Sequence, residues 1–165
     1  MRRPIPDKPG PGQESVWDYP RPPRLERTSQ HIEVVLGGVV VARTSAPLRV
    51  LETSHPPTYY LPMADFLEGS FRPAPGGSTC EWKGRAAYVD VLGGDTVARQ
   101  AGWFYPSPTP AFALLVDHLA LYPGMMERCT VDGEVVTAQP GGFYGGWVTS
   151  TVVGPFKGDP GTMFW

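Results

Sequence analysis

Glycine and proline constrain this chain more than any other residue types. Each occurs 20 times among 165 residues, so together they make up about a quarter of the chain. In a disordered protein such a content comes with few apolar residues, whereas here 41% of the residues are apolar and 12% are aromatic. The glycines and prolines therefore indicate turns between many short strands of a folded protein.

Two valine-rich runs on either side of Gly37-Gly38 predict a β-hairpin in the stretch HIEVVLGGVVVARTSA, residues 31–46. Two glycines between such runs suit the type I′ or II′ turn that joins antiparallel strands. Further strands are predicted at 48–52, 58–61, 79–82, 86–92, 96–104, 118–122, 127–131 and 134–137. Many short strands at this spacing are typical of an antiparallel sandwich or an open barrel.

Helical patterns are confined to two short segments. PMADFLEG, residues 62–69, indicates a short helix or a turn. TPAFALLVDHL, residues 109–119, predicts a helix that Thr109 caps. The apolar stripe of this helix consists of Phe112, Leu115, Val116 and Leu119. The predicted fold class is therefore mainly β, with antiparallel sheets and one or two short helices.

The chain length suits a single domain with its own core. Residues 1–13 are polar and rich in proline and glycine, which predicts a flexible N-terminal tail. Residues 14–165 are expected to form a single β domain with a core at about 31–137. The segments on either side of that core, including the glycine-rich residues 139–162, are expected to lie extended across it.

The charge and the apolar pattern disfavour nucleic-acid and membrane partners. Only 18% of the residues are charged and the formal net charge is −2, whereas a general binder of nucleic acid or of anionic membranes needs a basic face. No apolar run approaches the roughly 20 residues of a membrane span, and no apolar signal region follows Arg2 and Arg3. We therefore expect a cytoplasmic protein, with Cys80 and Cys129 as reduced thiols.

An acid, an imidazole and two phenols gather at the end of one predicted strand, in LETSHPPTYYLP at residues 51–62. Glu52 follows apolar strand residues, and a carboxylate there loses hydration, which favours its protonated form unless a cation lies beside it. Glu52 is therefore either a general acid or base or a member of a structural ion pair. The cations considered for that pair are Arg43, Arg49 and Lys83.

The neighbours of Glu52 have both functional and structural interpretations. His55 is a proton shuttle or a surface hydrogen-bonding residue. Tyr59 and Tyr60 are adjacent on a strand and point to opposite faces. One of them can fill the core while the other lines a cleft and donates a hydrogen bond to a substrate oxygen. A buried tyrosine with a satisfied hydroxyl is the structural alternative.

CEWKG, residues 80–84, forms a second cluster. On a strand, Cys80 and Lys83 lie on opposite faces, so both serve one pocket only if Gly84 marks a bend or bulge. Cys80 is a nucleophile only with a neighbouring base or cation, and is otherwise a small apolar core residue. Lys83 binds an anion, pairs with Glu52, or reaches solvent.

Aromatic and basic residues further along the chain complete the predicted pocket. Trp103 and Tyr105 share a face and belong either to the core or to the wall of a pocket for a flat-ring ligand. Lys157 contacts a phosphate or carboxylate, or reaches solvent. The chain has no CxxC, HxH or HExxH pattern, and residues 139–162 match neither a P-loop nor a dinucleotide fingerprint. No metal and no cofactor is therefore predicted.

Several long motifs resemble the domain of unknown function 427 family over about residues 14–165. They are ESVWDYPRPPR, LETSHPPTYYLP, CEWKGRAAYVDV, AGWFYPSPTPAF, PGGFYGGWVTS and VGPFKGDPGT. The residues that match the shorter family core are Glu52, Tyr60, Cys80, Lys83, Gly84, Tyr88, Trp103 and Tyr105. The resemblance implies a mainly β fold of the Mss4-like or β-tent type, in which two sheets meet at an angle.

The resemblance implies little about activity. Other β-tent domains bind zinc through two CxxC pairs, which this chain lacks, so the groove between the sheets is left for a small molecule. A label that links the family to nucleotidyl transfer lacks support here, because no pair of aspartates lies beside a Gly-Ser motif. The resemblance carries over no catalytic residues.

Three functions remain open at this point. The first is a small-molecule enzyme with Glu52 as general acid or base, oriented by Lys83 or Tyr60, in a cleft between the sheets. The second is a non-catalytic module that binds a metabolite or anion there. The third is a protein-interaction module whose terminal aromatics dock a partner or a second copy, as in a homodimer. The predicted catalytic residues are Glu52, Lys83, Tyr60 and Cys80, and the predicted substrate-binding residues are His55, Tyr59, Tyr88, Trp103, Tyr105 and Lys157.

Overall fold

Short strands account for most of the regular structure. The protein is described by a computed structural model over residues 3–165. In chain order the strands are β1 Glu14–Ser15, β2 Arg24–Arg27, β3 Ile32–Leu36, β4 Val39–Thr44, β5 Leu48–Leu51, β6 Thr58–Pro62, β7 Phe71–Cys80, β8 Gly84–Gly93, β9 Thr96–Phe104, β10 His118–Leu121, β11 Arg128–Val131, β12 Glu134–Val135, β13 Thr137–Ala138, β14 Trp147–Val148 and β15 Val152–Val153. The prediction of a mainly β fold is confirmed.

Helical structure in the described part of the chain is limited to short 3₁₀ segments. They are Val16–Asp18, Met63–Asp65, Pro110–Leu115 and Pro123–Met125. Across residues 3–165, no helix has the length and apolar character needed to cross a membrane. The short helix or turn predicted within 62–69 corresponds to Met63–Asp65 and is confirmed as a single 3₁₀ turn.

Two antiparallel sheets build the body of the protein. The larger sheet has seven strands in the order β2-β5-β6-β10-β9-β8-β7, and the smaller has four in the order β12-β11-β3-β4. Two short ribbons involve the chain ends: β1 pairs with β15 in parallel, and β13 pairs with β14 antiparallel. The prediction of antiparallel sheets is therefore confirmed for both large sheets.

The predicted hairpin at Gly37-Gly38 is confirmed. These two glycines join β3 to β4 with φ angles of +59° and +76°. A type I′ turn requires a positive φ at both central residues, which glycine adopts without strain. Gly37 also packs so closely against the turn between β8 and β9 that a Cβ would overlap the Gly93 carbonyl oxygen.

The two large sheets share one apolar core. The larger sheet contributes Tyr59, Leu61, Val89, Leu119 and Leu121, and the smaller sheet contributes Ile32, Val34, Leu36 and Val41. Because these side chains fill the space between the sheets, the predicted ligand groove between the sheets is wrong. The larger sheet has a second, outer face that points away from this core, and the cleft described below lies there.

The helix predicted over 109–119 is wrong in type and length. The structure has a 3₁₀ segment at Pro110–Leu115, and residues 118–121 form β10 instead. Thr109 makes no helix cap, because its Oγ1 donates to the carbonyl of Trp82 at 2.5 Å. The strand is favoured because β10 pairs with both β6 and β9, whereas an isolated short helix is marginal.

The strand predicted at 79–82 ends early. β7 ends at Cys80, residues 81–83 form a turn, and β8 begins at Gly84. Gly84 has a φ of +108°, in the left-handed region that favours glycine. The strict strand alternation predicted for CEWKG therefore does not hold, and the chain bends at Gly84 as the alternative interpretation required.

The N-terminal segment lies against the C-terminal segment. The indole Nε1 of Trp17 donates to the carbonyl of Pro155 at 2.9 Å, and Trp17 packs edge-on against Trp165 with ring centroids 5.7 Å apart. Further out, the backbone N–H of Asp7 donates to the carbonyl of Gly154 at 2.8 Å. That residues 1–13 are flexible stays a prediction, and residues 1–2 lie outside the described part of the chain.

Candidate functional site

A row of side chains on the outer face of the larger sheet forms the floor of a cleft. Residues directly opposite each other on antiparallel strands share a face. The register pairs Tyr60 of β6 with Ala120 of β10, Ala120 with Trp103 of β9, and Trp103 with Tyr88 of β8. The small Ala120 side chain leaves room between its larger neighbours, and the indole Nε1 of Trp103 donates to the Tyr60 hydroxyl at 3.3 Å.

Lys83 reaches the cleft from the turn between β7 and β8. The carbonyl of Lys83 accepts a hydrogen bond from the backbone N–H of Thr109 at 3.0 Å, and the carbonyl of Trp82 accepts one from the Thr109 hydroxyl. These two bonds anchor the turn to the start of the 3₁₀ segment Pro110–Leu115. The Lys83 Nζ lies 6.0 Å from the ring centroid of Tyr105.

A glycine-rich segment near the C-terminus forms the opposite wall. Gly145 rests on Trp103 so closely that a Cβ would overlap the indole ring. Tyr144 packs edge-on against His55 with ring centroids 4.8 Å apart, and the Lys157 Nζ lies 5.6 Å from the Tyr144 ring centroid. The cleft has a volume of about 390 Å³, within the range of roughly 300–1,000 Å³ for small-molecule sites.

Two ammonium groups give the cleft a positive character. The chain has three lysines, and two of them, Lys83 and Lys157, line the cleft. Lys83 is only 9% exposed, yet no carboxylate within residues 3–165 forms an ion pair with either lysine. A lysine with so little exposed surface favours an anion beside its ammonium group, because a poorly hydrated charge without a partner costs free energy. The arrangement therefore suits an anionic ligand.

Glu52 also lines the cleft and is held from two sides. Its Oε2 accepts a hydrogen bond from Nε of Arg21 at 3.2 Å. The same oxygen lies 3.2 Å from Arg21 Nη2 in an ion pair and 3.5 Å from Nε2 of His55. The side chains of Glu52 and Arg21 are 22% and 36% exposed, so this ion pair is only partly desolvated. The ion-pair alternative for Glu52 is thus present, but with Arg21. Two of the cations considered earlier, Arg43 and Arg49, pair with other glutamates.

Gln139 determines which nitrogen of His55 carries the proton. The Oε1 of Gln139 accepts from the Gly146 N–H at 3.1 Å, and its Nε2 donates to the Lys157 carbonyl at 2.8 Å. These two bonds fix the orientation of the amide. The same Nε2 lies 3.0 Å from Nδ1 of His55. An amide nitrogen only donates, so Nδ1 accepts and the proton sits on Nε2, which faces Glu52.

The surroundings of His55 keep its imidazole neutral. Burial, together with the positive charges of Lys157, Arg21 and Lys83, lowers the pKa of His55 from 6.5 to about 4. With one nitrogen accepting from Gln139 and the other directed at Glu52, His55 has no free lone pair to act as a base. The Nε2–H lies beside Oε2 of Glu52, and the positive charges that depress the pKa of His55 give the cleft a positive potential.

The phenols of the lining act as neutral donors. Burial raises the pKa of Tyr60 and Tyr105, and it also raises the pKa of Tyr122. All three hydroxyls therefore stay protonated at neutral pH. The Tyr122 ring packs against Trp103 with centroids 4.7 Å apart, so aromatic surface and hydroxyl groups alternate along the wall. Neutral hydroxyls beside ammonium groups are suited to hydrogen-bond a carboxylate or phosphate.

Most of the predicted site residues meet in this cleft. Those that line it are Glu52, His55, Tyr60, Lys83, Tyr88, Trp103, Tyr105 and Lys157. Tyr59 points to the opposite face, where it packs on Trp147 and donates its hydroxyl to Gln30 Oε1 at 2.8 Å. Cys80 packs beside the cluster that contains Tyr60 but does not line the cleft. The placement of Tyr59 and Cys80 in the site therefore needs correction.

The sequence interpretation missed several residues of the site, among them Arg21, Tyr122, Gln139 and Tyr144. Arg21 and Gln139 are far from Glu52 in the chain, and no local pattern connects them. Tyr144 lies in the motif PGGFYGGWVTS, whose glycines indicated close backbone approach but not a role for the tyrosine. Tyr122 follows β10 two positions after Ala120, so the two side chains point to the same face of the sheet. This indicates a place in the cleft only once the pairing of β10 is known.

The residues of the cleft suit an anion better than a metal ion. Across the described part of the chain, no group of three or more His, Cys, Asp or Glu side chains is arranged to hold a metal. The cleft lining contains one carboxylate, on Glu52, and one imidazole, on His55. The Nδ1 of that imidazole accepts from Gln139 and its Nε2 carries the proton, so it offers no free lone pair to a metal without rearrangement.

Comparison with known proteins identifies a family but no activity. A family model described as "Domain of unknown function (DUF427)" matches residues 24–132. The matched region includes the larger sheet and the floor of the cleft, whereas Gln139, Tyr144 and Lys157 lie in the segment that follows it. A search of curated proteins found no match to the chain.

Proposed function

We propose that this chain, which belongs to the DUF427 family, binds a small organic anion with a flat ring in the cleft on the outer face of its larger sheet. One observation carries the proposal: Lys83 lines the cleft and is 9% exposed, without a carboxylate partner in the described residues. A bound anion supplies the counter-charge that this lysine lacks among the described residues. The ligand is expected to place its acidic group at the two lysines of the cleft, Lys83 and Lys157.

The other residues of the lining support a ligand with one acidic group and a planar ring. Lys157 supplies a second ammonium, and the Tyr60 hydroxyl is a neutral donor on the floor. Trp103 and Tyr105 offer aromatic surface, which favours flat apolar groups. The carboxylate of Glu52 repels an anion, but its ion pair with Arg21 compensates that charge.

Calorimetric titration with benzoate as the probe tests the proposal. Lys83→Met should weaken benzoate binding at least tenfold, because a charge-assisted hydrogen bond contributes about 1.5–3 kcal/mol. Lys8→Met is the matched control: it makes the same substitution at the remaining lysine, which is exposed and outside the cleft. Equal affinities of Lys83→Met and the unmodified protein would refute the proposal, as would an equal loss in Lys8→Met.

A second candidate function is proton transfer by Glu52, as general acid or base, on the ligand in the cleft. The observation that favours it is the contact of Oε2 with the Nε2–H of a neutral His55 at 3.5 Å, in a lining that has no other carboxylate. A carboxylate oriented by an imidazole and partly shielded from water is a common acid–base arrangement. The ion pair with Arg21 favours the binding function instead.

A comparison of two variants separates these functions. Both Glu52→Gln and Arg21→Met remove the ion pair, but only Glu52→Gln removes the carboxylate. If Glu52 transfers protons, a metabolite extract incubated with Arg21→Met should show conversion of a compound by mass spectrometry, and Glu52→Gln should not. If extracts treated with the two variants stay alike and unconverted, acid–base catalysis by Glu52 is refuted.

The β-tent arrangement, the cytoplasmic location and the homodimer stay predictions of the sequence. The interaction-module alternative loses part of its basis, because Trp17 and Tyr19 are 7% and 5% exposed and pack within their own chain. Phe164 is 79% exposed and is the terminal aromatic that a partner would reach first. Light scattering on the unmodified protein and on Phe164→Ser tests whether it supports self-association.

A further inference from the structure

A second, apolar cavity adjoins the cleft. It has a volume of about 260 Å³ and lies behind the glycine-rich wall. Its own lining includes Pro123, Met125 and Ala138, whereas Tyr122, Gln139 and Tyr144 line both this side cavity and the cleft. These three shared side chains therefore form the wall between the two spaces. The side cavity has no charged residue in its lining.

The shared wall has one member fixed by hydrogen bonds and two held by ring contacts. Gln139 is held by hydrogen bonds through both ends of its amide, and the Tyr122 ring packs against Trp103. Tyr144 is held through ring contacts with His55 and Phe143, and its side chain makes no hydrogen bond within the described residues. Rotation of Tyr144 therefore breaks no hydrogen bond among the described residues, whereas movement of the Gln139 amide breaks two.

We propose that the side cavity takes the apolar substituent of the same ligand whose acidic group lies at the lysines. This inference rests on the proposed function. Lys157 lies on the cleft side of Tyr144, with its Nζ 5.6 Å from the ring centroid, so an acid held there has the side cavity within the reach of a short chain. An apolar cavity of roughly 150 Å³ already admits a benzene ring, so this one accommodates a substituent of that size. The preferred ligand is then an aryl carboxylate with an apolar extension rather than an inorganic anion.

Two probes that differ only in the extension test the inference. Benzoate and 4-butylbenzoate carry the same acidic ring, and the second adds four carbons. In the unmodified protein 4-butylbenzoate should bind at least tenfold more tightly than benzoate, because each buried methylene contributes to affinity. In Ala138→Leu the added side chain occupies the side cavity, so the ratio of the two affinities should fall towards one.

Matched variants keep this test decisive. Thr137→Leu adds a similar side chain at the neighbouring exposed position, outside the cavity lining, and should keep the full ratio. If Ala138→Leu fails to fold, Met125→Trp fills the cavity from a position that is 42% exposed.

The outcomes separate this inference from the proposed function. Benzoate binding that depends on Lys83 but gains less than twofold from the butyl group would overturn the side-cavity inference and leave the proposed function standing. A gain that survives in Ala138→Leu would do the same. If neither probe binds in a manner that depends on Lys83, the proposed function fails and this inference fails with it.

Discussion

Acidification from about pH 7.5 to about pH 5 should destabilise this protein through His55. In the folded protein burial and the neighbouring cations lower the pKa of His55 from 6.5 to about 4. Between these two values the unfolded chain takes up a proton that the folded protein does not, so the stability that the neutral imidazole contributes is present above pH 6.5 and is lost as the pH falls towards 4. Between about pH 7.5 and about pH 5 this linkage lowers the free energy of unfolding by ~2 kcal/mol.

Urea unfolding followed by tryptophan fluorescence measures this loss. The comparison uses the unmodified protein and His55→Gln at both pH values, and the ~2 kcal/mol difference should be absent from the variant. The other histidines are common to both proteins, so their effects cancel. Glu14 titrates below the pH range of this experiment. Burial raises its pKa, but hydrogen bonds from Arg49 and Tyr19 outweigh the effect of burial and bring the pKa below 4.5. If both proteins lose the same stability, the neutral, buried His55 described above is wrong.

Two substitutions test the packing around the cleft. Leu115→Ala should lower the free energy of unfolding in urea by about 2–5 kcal/mol, because Leu115 is fully buried. The control Leu114→Ala, at a neighbour that is 46% exposed, should change it by less than about 0.5 kcal/mol. Similar costs for both would contradict the description of this segment. Gly145→Ala should destabilise by roughly 1–3 kcal/mol and weaken benzoate binding, because the added methyl overlaps the Trp103 ring. A Gly145→Ala protein with unchanged stability would show that this wall is looser than described.

The strands were readable from the sequence because the signals that set them are local. Gly37-Gly38 between two valine runs specifies a hairpin by its turn chemistry alone. The alternation of side chains along a strand separates Tyr59 from Tyr60 without any knowledge of the partners. That alternation correctly predicted that one phenol would fill the core, but it could not tell which one lines the cleft, because burial depends on which sheet covers which face.

The errors concern features that tertiary pairing decides. The apolar residues of 109–119 fit a helical stripe, yet pairing with both neighbours draws 118–121 into the larger sheet as β10. The groove was predicted between the sheets, but side chains from both sheets fill that space, and the cleft uses the outer face and the C-terminal segment.

The polar and charged contacts of the site are the part that the sequence predicts least. Arg21 and Glu52 are 31 positions apart, and Gln139 and His55 are 84 apart. No pattern in a single sequence connects residues at such separations, so the sequence does not indicate Arg21 as the partner of Glu52 or Gln139 as the partner of His55.

The most direct test of the central claim is an NMR titration of the three lysines. Reductive methylation with ¹³C-formaldehyde gives each lysine a separate signal, and Lys8, Lys83 and Lys157 are the only ones in the chain. Addition of benzoate should shift the Lys83 and Lys157 signals along one saturable curve and leave the Lys8 signal in place. Signals of Lys83 and Lys157 that do not move, or that move no more than Lys8, would contradict an anion site in the cleft.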